Sequence, residues 1–331
     1  MKAAYIETPG PAENIVYGDL PQPEISPSQV LVRMTAVAVN PVDTYIRNGA
    51  NYWELPNPFV VGCDLAGVVE AVGAEVTRFA PGDRVWCTNQ GLLGRQGTFA
   101  EYCAIDECWL YETPDEVSDE DVAACALVGV TAHLGLFRDA QLVSGETVFV
   151  HGGTGGVGSM VVQMAKAAGA RVITTGGSDE KVAACQQLGA DVAINYKSQD
   201  VLAAIQEAAP EGVNVFWETL REPDFDLVVG ALAERGRMVL MAGREARPEF
   251  PVGPFYVKGC SLHGFVMFKA SAAELRASAD DMNRWLVDGS LKAHISHRFP
   301  LDQAAQAHAL QEQNTLQREG TLAGKIVLHP A

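Results

Sequence analysis

Residues 148–158 read Val-Phe-Val-His-Gly-Gly-Thr-Gly-Gly-Val-Gly, an apolar run that ends in a cluster of glycines. Three of them, Gly153, Gly155 and Gly158, follow the G-x-G-x-x-G spacing, and a helical pattern begins at Ser159. In such a turn the first glycine permits a tight bend, the second lets the backbone approach a pyrophosphate, and the third lets helix and strand pack closely. N–H groups at the start of the helix bind the phosphates. The stretch therefore predicts a dinucleotide site formed by Gly153, Thr154, Gly155, Gly156, Val157 and Gly158.

The context of these glycines separates a binding site from a structural turn. A lone G-x-G-x-x-G is a weak signal, but here it lies between a predicted strand and a predicted helix, and a second strand follows at 171–175. That is the arrangement which the motif requires. We therefore expect a redox protein that uses a nicotinamide cofactor, and a glycine-rich structural turn is the alternative.

Length and composition narrow the class of protein. The chain has 331 residues, 48% of them hydrophobic and 20% charged, which is ordinary for a soluble protein of two domains. Its formal net charge of −17 disfavours a nucleic-acid partner, which would require basic patches. We find neither a signal-peptide pattern nor an uninterrupted apolar run near the roughly 20 residues that span a bilayer. Because the seven cysteines are scattered and odd in number, no disulfide framework is expected. These features predict a cytoplasmic protein without membrane contact.

The secondary-structure pattern changes near residue 146. Before it, short strands alternate with turns that contain proline and glycine, and after it, strands alternate with helices. The predicted strands are 2–7, 30–39, 67–72, 83–87, 99–105, 147–151, 171–175, 192–195, 213–217, 237–242, 260–265 and 326–328. The predicted helices are 119–137, 156–168, 180–188, 200–208, 224–235 and 272–286.

Six strands with intervening helices describe a doubly wound parallel sheet of the Rossmann type. We predict that this nucleotide-binding domain comprises residues 125–267. A mostly-β domain of residues 1–124 precedes it, and the C-terminal residues 268–331 return to complete that first domain. The fold class is therefore α/β, with a second domain that is mostly β.

Several motifs lie outside the glycine turn. They are Asn-Pro-Val-Asp-Thr-Tyr-Ile-Arg-Asn-Gly at 40–49, Gly-Cys-Asp-Leu-Ala-Gly-Val-Val-Glu-Ala-Val-Gly at 62–73, Gly-Asp-Arg-Val at 82–85, Gly-Thr-Phe-Ala-Glu-Tyr at 97–102 and Gly-Lys at 324–325. Together they resemble the medium-chain dehydrogenase/reductase superfamily and, within it, the zeta-crystallin-like NADPH:quinone oxidoreductases. The resemblance covers nearly the whole chain. It implies a GroES-like catalytic β domain, a Rossmann domain, a cleft between them and a homodimer.

Zinc-dependent members of the superfamily hold a catalytic zinc ion with Cys, His and Cys or acidic ligands. By resemblance, their first cysteine corresponds to Asn40 and their His-Glu pair to Cys63-Asp64. An amide in place of a thiolate removes the soft ligand that zinc favours. The structural zinc lobe needs four closely spaced cysteines, and residues 87–97 hold one. We therefore expect no zinc, and adventitious metal at Cys63 and Asp64 is the alternative. We also expect no flavin, because the hydride would pass directly from the nicotinamide to the acceptor.

The end of the second strand of the Rossmann domain bears on the choice between NAD and NADPH. NAD enzymes place an acidic residue there, about 20 residues past the glycine turn, to bind the ribose 2′-hydroxyl. Here residues 175–178 read Thr-Gly-Gly-Ser, so no carboxylate would repel a 2′-phosphate. Ser178 can donate a hydrogen bond and Lys181 can supply charge. We predict NADPH, with Asp179 binding the ribose of NAD as the alternative. The predicted pocket comprises Gly177, Ser178, Lys181 and, by resemblance, Tyr196.

Further cofactor contacts are expected at other strand ends, because ligands of such sheets bind at the carboxyl ends of the strands. By resemblance, Thr131 lies near the nicotinamide and Lys325 reaches the cofactor. The alternative for Thr131 is that it only packs its helix. The alternative for Lys325, and for Arg244 at the end of the fifth strand, is a position on the surface. The residues at the ends of the fifth and sixth strands are Ala242, Gly243 and Arg244, then Phe265, Val266 and Met267.

Without zinc, hydrogen bonds must polarise the acceptor while the cofactor supplies the hydride. Asn40, Asp43, Tyr45 and Tyr52 lie in the segment that lines the cleft of the family. Tyr45 or Tyr52 could donate to a quinone or enone oxygen, or they could only pack. Asp43 could instead hold its own loop through backbone N–H groups.

Three functions follow from these observations. The first is a zinc-independent NADPH-dependent oxidoreductase that transfers hydride to a quinone. The second, on the same scaffold, is a reductase of activated C=C bonds in enones or acrylates. The third is a nucleotide- or RNA-binding or structural crystallin-like protein, and the net charge of −17 weighs against RNA.

Overall fold

The computed structural model of the protein describes residues 1–50, 53–315 and 322–331. Within them the chain forms two compact units. The first comprises Met1–Leu127 with Ala270–Ala331, and the second comprises Val128–Lys269.

The N-terminal part of the first unit is mostly β, because apolar and β-branched residues dominate its segments between turns. The strands are β1 (Lys2–Ile6), β2 (Val16–Asp19), β3 (Gln29–Val39), β4 (Phe59–Val60), β5 (Asp64–Val72), β6 (Arg84–Cys87), β7 (Tyr102–Asp106) and β8 (Leu110–Glu112). The helices are α1 (Pro41–Arg47) and α2 (Asp119–His133), and the chain passes into the second unit within α2.

The second unit is a six-stranded sheet with helices. Its strands are β9 (Thr147–Val150), β10 (Arg171–Gly176), β11 (Val192–Asn195), β12 (Val213–Glu218), β13 (Leu232–Leu240) and β14 (Ser261–Gly264). Its helices are α3 (Gly156–Ala167), α4 (Asp179–Gln187), α5 (Val201–Ala208), α6 (Phe225–Ala231) and α7 (Val252–Val257). The strand order is β11-β10-β9-β12-β13-β14, and every neighbouring pair is parallel. This doubly wound sheet confirms the predicted Rossmann fold.

The position of the glycine turn follows from this topology. After β9 the chain builds β10 and β11 on one side of the sheet, and β12 then starts the other side. The gap between β9 and β12 is thus the switch point, where ligands of such sheets bind. Val148, Phe149 and Val150 of β9 are fully buried, which explains a continuous apolar run rather than an alternating one.

The C-terminal segment completes the first unit. Its elements are α8 (Ala272–Asp288), β15 (Ile295–Pro300), α9 (Ala304–Thr315) and β16 (Lys325–His329). One sheet has the order β15-β16-β3-β5-β6-β8, with β7 also paired to β3, and a second has the order β2-β1-β4. β16 is antiparallel to β3 and pairs Ile326 with Val39. This pairing brings Lys325 beside the point where β3 ends and α1 begins.

Some predicted element boundaries are wrong. The sequence predicted a helix over 224–235 and a strand from 237, whereas α6 ends at Ala231 and β13 begins at Leu232. The segment Leu-Ala-Glu-Arg at 232–235 consists of good helix formers, but Leu232 pairs with Val213 of β12, and this tertiary contact overrides the local propensity. The sequence analysis also missed α1, α7, α9, β2, β4, β8 and β15.

One helix deserves comparison with a membrane span. α2 continues into a π-helical turn at Leu134–Asp139, and among the described residues this segment alone is long and apolar enough to cross a bilayer. Within its apolar stretch of 18 residues, 78% is buried inside the protein. A core helix has this property, because a helix that is apolar on all sides needs burial on all sides.

Candidate functional site

The glycine turn between β9 and α3 has a shape that depends on its glycines. Gly152 has a φ of +74°, a left-handed conformation that favours glycine. A Cβ atom at Gly153 would overlap the Thr174 hydroxyl, and one at Gly158 would overlap the carbonyl oxygen of Gly152. Gly155 is exposed at the N-cap of α3, and the nearest atom to a Cβ there would be 3.4 Å away. Packing thus requires two of the glycines, and the third leaves room for a pyrophosphate at the helix N-terminus.

The structure brings the predicted 2′-phosphate residues together at the carboxyl end of β10. Ser178 is the N-cap of α4, and its Oγ accepts a hydrogen bond from the Lys181 N–H at 3.3 Å. A Cβ atom at Gly177 would overlap the hydroxyl of Tyr196, whose side chain is half exposed. Gly177 thus lies close to Tyr196, and Ser178 lies close to the backbone of Lys181. The contact of these four residues with a 2′-phosphate stays a prediction.

Asp179 was the alternative ligand, for the ribose of NAD. Its Oδ1 accepts a hydrogen bond from Asn195 Nδ2 at 2.8 Å. It also lies in the first turn of α4, where a negative charge complements the helix dipole. This carboxylate is engaged between α4 and the end of β11, which favours its structural role over ribose binding.

Two polar residues at the switch point were missed by the sequence analysis. Glu218 is fully buried, and its Oε2 lies 3.1 Å from Nδ1 of His151. Thr219 donates a hydrogen bond from Oγ1 to the carbonyl oxygen of His151 at 2.6 Å. These contacts tie the end of β12 to the first residue of the glycine turn. The available signal was their place directly at the end of the fourth strand of the sheet.

Apart from Lys325, the remaining predicted cofactor residues lie at three places in the second unit. Thr131 is buried in α2, three residues before the π-helical turn. Residues 242–244 follow β13, and Gly243 has a φ of +84°. Residues 265–267 follow β14, where the Phe265 ring meets the Trp217 ring edge to face and the Arg138 guanidinium lies 5.4 Å from its centroid. The cofactor contacts of these residues stay predictions.

Asn40 caps α1 in the first unit and is fully buried. Its Nδ2 donates to Oδ2 of Asp64 at 2.8 Å, and its Oδ1 accepts from Nζ of Lys325 at 2.5 Å. Both ends of the amide are therefore engaged inside the unit. The predicted catalytic role of Asn40 is not tested by these contacts, which give it a positioning role.

Asp43 shares this environment. Its Oδ2 accepts a hydrogen bond from the Asn40 backbone N–H at 2.7 Å, so it holds the start of α1. Burial raises the pKa of Asp43 to about 7, since the charged form is poorly solvated, and the nearby Asp64 adds to the shift. Tyr45 follows on the same helix and is partly exposed. Tyr52, the other predicted donor, lies outside the described residues.

Lys325 is also buried, with 7% of its surface exposed. Besides Asn40, its Nζ donates to the carbonyl oxygen of Val39 at 2.9 Å. The predicted contact of Lys325 with a cofactor stays a prediction. The hydrogen bonds of Lys325 to Val39 and Asn40 connect β16 to the junction between β3 and α1.

These residues do not fit a catalytic zinc ion. An amide and an ammonium meet at the position where zinc enzymes of the superfamily have a thiolate ligand, and an ammonium group repels a metal cation. Among the residues that the structure describes, no three His, Cys, Asp or Glu side chains are grouped so that they could hold a metal.

The two units match two known family models. Residues 26–115 match the alcohol dehydrogenase GroES-like domain, and residues 156–284 match the zinc-binding dehydrogenase domain. A Rossmann sheet with a glycine turn at its switch point, in a chain that also has a GroES-like β unit, defines a medium-chain dehydrogenase/reductase.

Proteins that are similar in sequence over most of the chain show which family of this superfamily it belongs to. Quinone oxidoreductase of Sus scrofa is 32% identical over 90% of this chain and 90% of its own, and that of Homo sapiens is 30% identical over 99% and 97%. The NADPH-dependent alkenal/one oxidoreductase of Arabidopsis thaliana chloroplasts is 31% identical over 93% and 74%. The chain belongs to the quinone oxidoreductase family of medium-chain dehydrogenases/reductases.

Solved structures agree with this fold. An NAD-dependent alcohol dehydrogenase superposes with a TM-score of 0.90 at 31% identity, over 100% of both chains. Escherichia coli quinone oxidoreductase in complex with NADPH has a TM-score of 0.85 at 25% identity, also over 100% of both. A 2-haloacrylate reductase has a TM-score of 0.84 at 28% identity, over 100% of this chain and 99% of its own.

Proposed function

We propose that this protein is a zinc-independent, NADPH-dependent reductase that transfers a hydride to a quinone. The observation that carries the proposal is the hydrogen bond from the buried Lys325 ammonium to Asn40. It gives the chain a cation of its own at the first ligand position of the zinc enzymes. The acceptor must then be activated by hydrogen bonds and fixed charge rather than by a Lewis acid.

The dinucleotide part of the proposal rests on the second unit. N–H groups at the start of α3 bind the pyrophosphate, and Ser178 with Lys181 binds the 2′-phosphate. The engagement of Asp179 with Asn195 supports NADPH over NAD. The NADPH complex of the Escherichia coli relative supports the same choice.

The first unit supplies the groups that face the acceptor. When bound, the nicotinamide supplies the hydride, which is one hydrogen with two electrons. A proton then completes the hydroquinone, so the reaction needs no flavin. The hydroxyl of Tyr45 donates a hydrogen bond to the acceptor oxygen that gains negative charge. Asn40 and Asp43 hold the start of α1, and therefore Tyr45, in position.

A second candidate is the reduction of activated C=C bonds. The alkenal/one oxidoreductase of Arabidopsis thaliana and the 2-haloacrylate reductase support it. In that reaction the hydride goes to the β-carbon, and a proton completes the α-carbon. An RNA-binding role is disfavoured by the net charge of −17. The seven free cysteines, five of them buried, fit a cytoplasmic protein.

The test is the rate of NADPH oxidation across a panel of quinones, enones, alkenals and acrylates, with chelator-treated protein and elemental analysis. We expect the highest kcat/KM with a quinone, unchanged rates after chelation and no stoichiometric zinc. A preference for an alkenal or acrylate would establish the second candidate. One zinc ion per chain, with activity lost on its removal, would refute zinc independence.

A further inference from the structure

Five side chains form a buried polar cluster in the first unit, which we name the Lys325 cluster: Asn40, Asp43, Cys63, Asp64 and Lys325. Hydrogen bonds connect Lys325 Nζ to Asn40 Oδ1 at 2.5 Å and Asn40 Nδ2 to Asp64 Oδ2 at 2.8 Å. The same Asp64 oxygen accepts from the backbone N–H of Leu127 in α2 at 3.3 Å. The cluster therefore joins β16, the start of α1, the start of β5 and α2.

Lys325 offsets part of the negative charge of the cluster. The cluster holds two carboxylates, and each has one buried oxygen, Oδ1, with no hydrogen-bond partner among the described residues. Burial raises the pKa of both Asp43 and Asp64, and it lowers the pKa of Lys325 against the opposing effect of the two carboxylates. A buried charge needs a partner, because desolvation is not otherwise compensated. The ammonium is the one cationic group within the cluster.

The cluster lies at the residues that correspond to metal ligands in the zinc enzymes, since Asn40 and Cys63-Asp64 take those positions. The Lys325 ammonium bonds the first of them directly. Two acceptors, Val39 O and Asn40 Oδ1, use two of its three N–H groups. Gly324, with a φ of +112°, sets the chain direction directly before it. A cation is thus built into the chain at this place and needs no ligand set.

We propose that the Lys325 ammonium is the fixed cation of this site, which offsets one of the two buried carboxylates, orients Asn40 and favours negative charge on the acceptor during hydride transfer. The last effect rests on the proposed function. The hydride brings one hydrogen and two electrons from NADPH to the quinone, a proton from water completes the hydroquinone, and Lys325 keeps its three protons. Lys325 is therefore proposed as a positioning residue that acts through its charge and its hydrogen bonds rather than as a proton donor.

The test separates charge balance from the effect on the acceptor. Lys325→Met removes the ammonium and leaves two carboxylates, whereas the double variant Lys325→Met/Asp64→Asn also removes one carboxylate and keeps an oxygen that accepts from Asn40. Lys2→Met is the matched control, because Lys2 is a half-exposed lysine of the same unit that pairs with Asp19 at 2.9 Å. Each variant is compared with the wild type by urea unfolding and by steady-state kinetics with a quinone.

We expect Lys325→Met to be strongly destabilised and the double variant to recover most of that stability. The kcat should fall about ten-fold or more in the double variant, with the KM for NADPH nearly unchanged, since a charge that acts on the transition state affects turnover. Lys2→Met should resemble the wild type in kcat. If Lys325→Met does not fold, the double variant still gives the kinetic result.

Three results would overturn the proposal or part of it. A double variant with wild-type kcat would show that the ammonium serves folding alone. If Lys325→Met were as stable as the wild type, the claim that Lys325 offsets buried carboxylate charge would be refuted. A wild-type protein inactive with every quinone and enone would refute the proposed function, and with it the effect on the acceptor. In that case the unfolding of the two variants would still decide the charge balance.

Discussion

Lys181, at the end of β10, is the residue that we propose to discriminate between NADPH and NADH. We predict that Lys181→Ala weakens NADPH binding about ten- to hundred-fold, because one charge-assisted hydrogen bond contributes about 1.5–3 kcal/mol. NADH has no 2′-phosphate and should lose little. Cofactor fluorescence gives both dissociation constants. Lys166→Ala is the control, since Lys166 is a surface lysine of α3 that pairs with Asp191. Equal losses for NADPH and NADH would place the phosphate elsewhere.

Tyr45 is the residue that we propose to stabilise the acceptor oxygen by a hydrogen bond. Tyr45→Phe keeps the ring and deletes the hydroxyl, so packing should survive. We expect kcat to fall about ten-fold or more while NADPH binding stays the same, because a hydrogen bond made mainly in the transition state affects turnover. Steady-state kinetics with one quinone and one enone provide the measurement, and Tyr102→Phe on β7 is the control. If kcat is unchanged with both acceptors, Tyr45 only packs in the site, and Tyr52 becomes the candidate hydrogen-bond donor.

The residues of the site differ in how far the sequence could predict them. The glycine turn is local, so its spacing predicts its geometry, and Gly153 and Gly158 occupy the tight positions that the motif implies. The Lys325 cluster is not local, because Asn40 and Lys325 are 285 residues apart. The predicted strand 326–328 indicates that the chain returns, but not that β16 pairs with β3 at this register. The distances between these side chains depend on the register of β16 against β3. The hydrophobic pattern of the sequence does not predict that register.

At the scale of the element, α9 shows why hydrophobic periodicity does not predict every helix. Its sequence, Ala-Ala-Gln-Ala-His-Ala-Leu-Gln-Glu-Gln-Asn-Thr, contains a single large aliphatic side chain, so the apolar stripe of an amphipathic helix is missing. Other contacts hold it instead. Glu312 pairs with the buried Arg47 of α1 at 2.7 Å, and the His308 ring meets the Phe99 ring edge to face.

The buried His308 makes α9 sensitive to acid. Burial, with a smaller effect of Arg47, lowers its pKa from 6.5 to about 3. Between these two pH values the unfolded chain binds a proton that the folded protein does not, so stability is full above pH 6.5 and falls as pH decreases. We predict that His308→Leu removes this loss. Relative to the wild type, the variant should gain about 2 kcal/mol between pH 6.5 and pH 5.

Urea unfolding of wild type and His308→Leu at the two pH values measures this gain. The comparison between pH values cancels the change in packing, which acts at both. A constant difference between the two proteins would show that His308 is protonated without loss of the fold.

At the scale of the whole molecule, one surface of the second unit has no partner among the described residues. β14 ends the six-stranded sheet, and no described strand pairs with its outer edge. Leu262 on β14 and Val252, Tyr256 and Val257 on α7 are exposed, Tyr256 and Val257 to 69% and 70%. Open edges with apolar neighbours associate, whereas natural monomers protect such edges. We therefore predict that this surface pairs with a second copy of the chain, related by a two-fold axis so that the two β14 strands are neighbours.

We predict that the protein is a homodimer in solution and that Val257→Asp shifts it toward the monomer, because a buried unpaired carboxylate at an interface is costly. Sedimentation velocity over a range of concentrations measures the change. Val143→Asp is the matched control, since Val143 is a 59% exposed valine of the same unit that precedes β9 rather than flanking β14. It should leave the dimer intact. A monomeric wild type, or equal disruption by both substitutions, would show that the edge of β14 is not the interface.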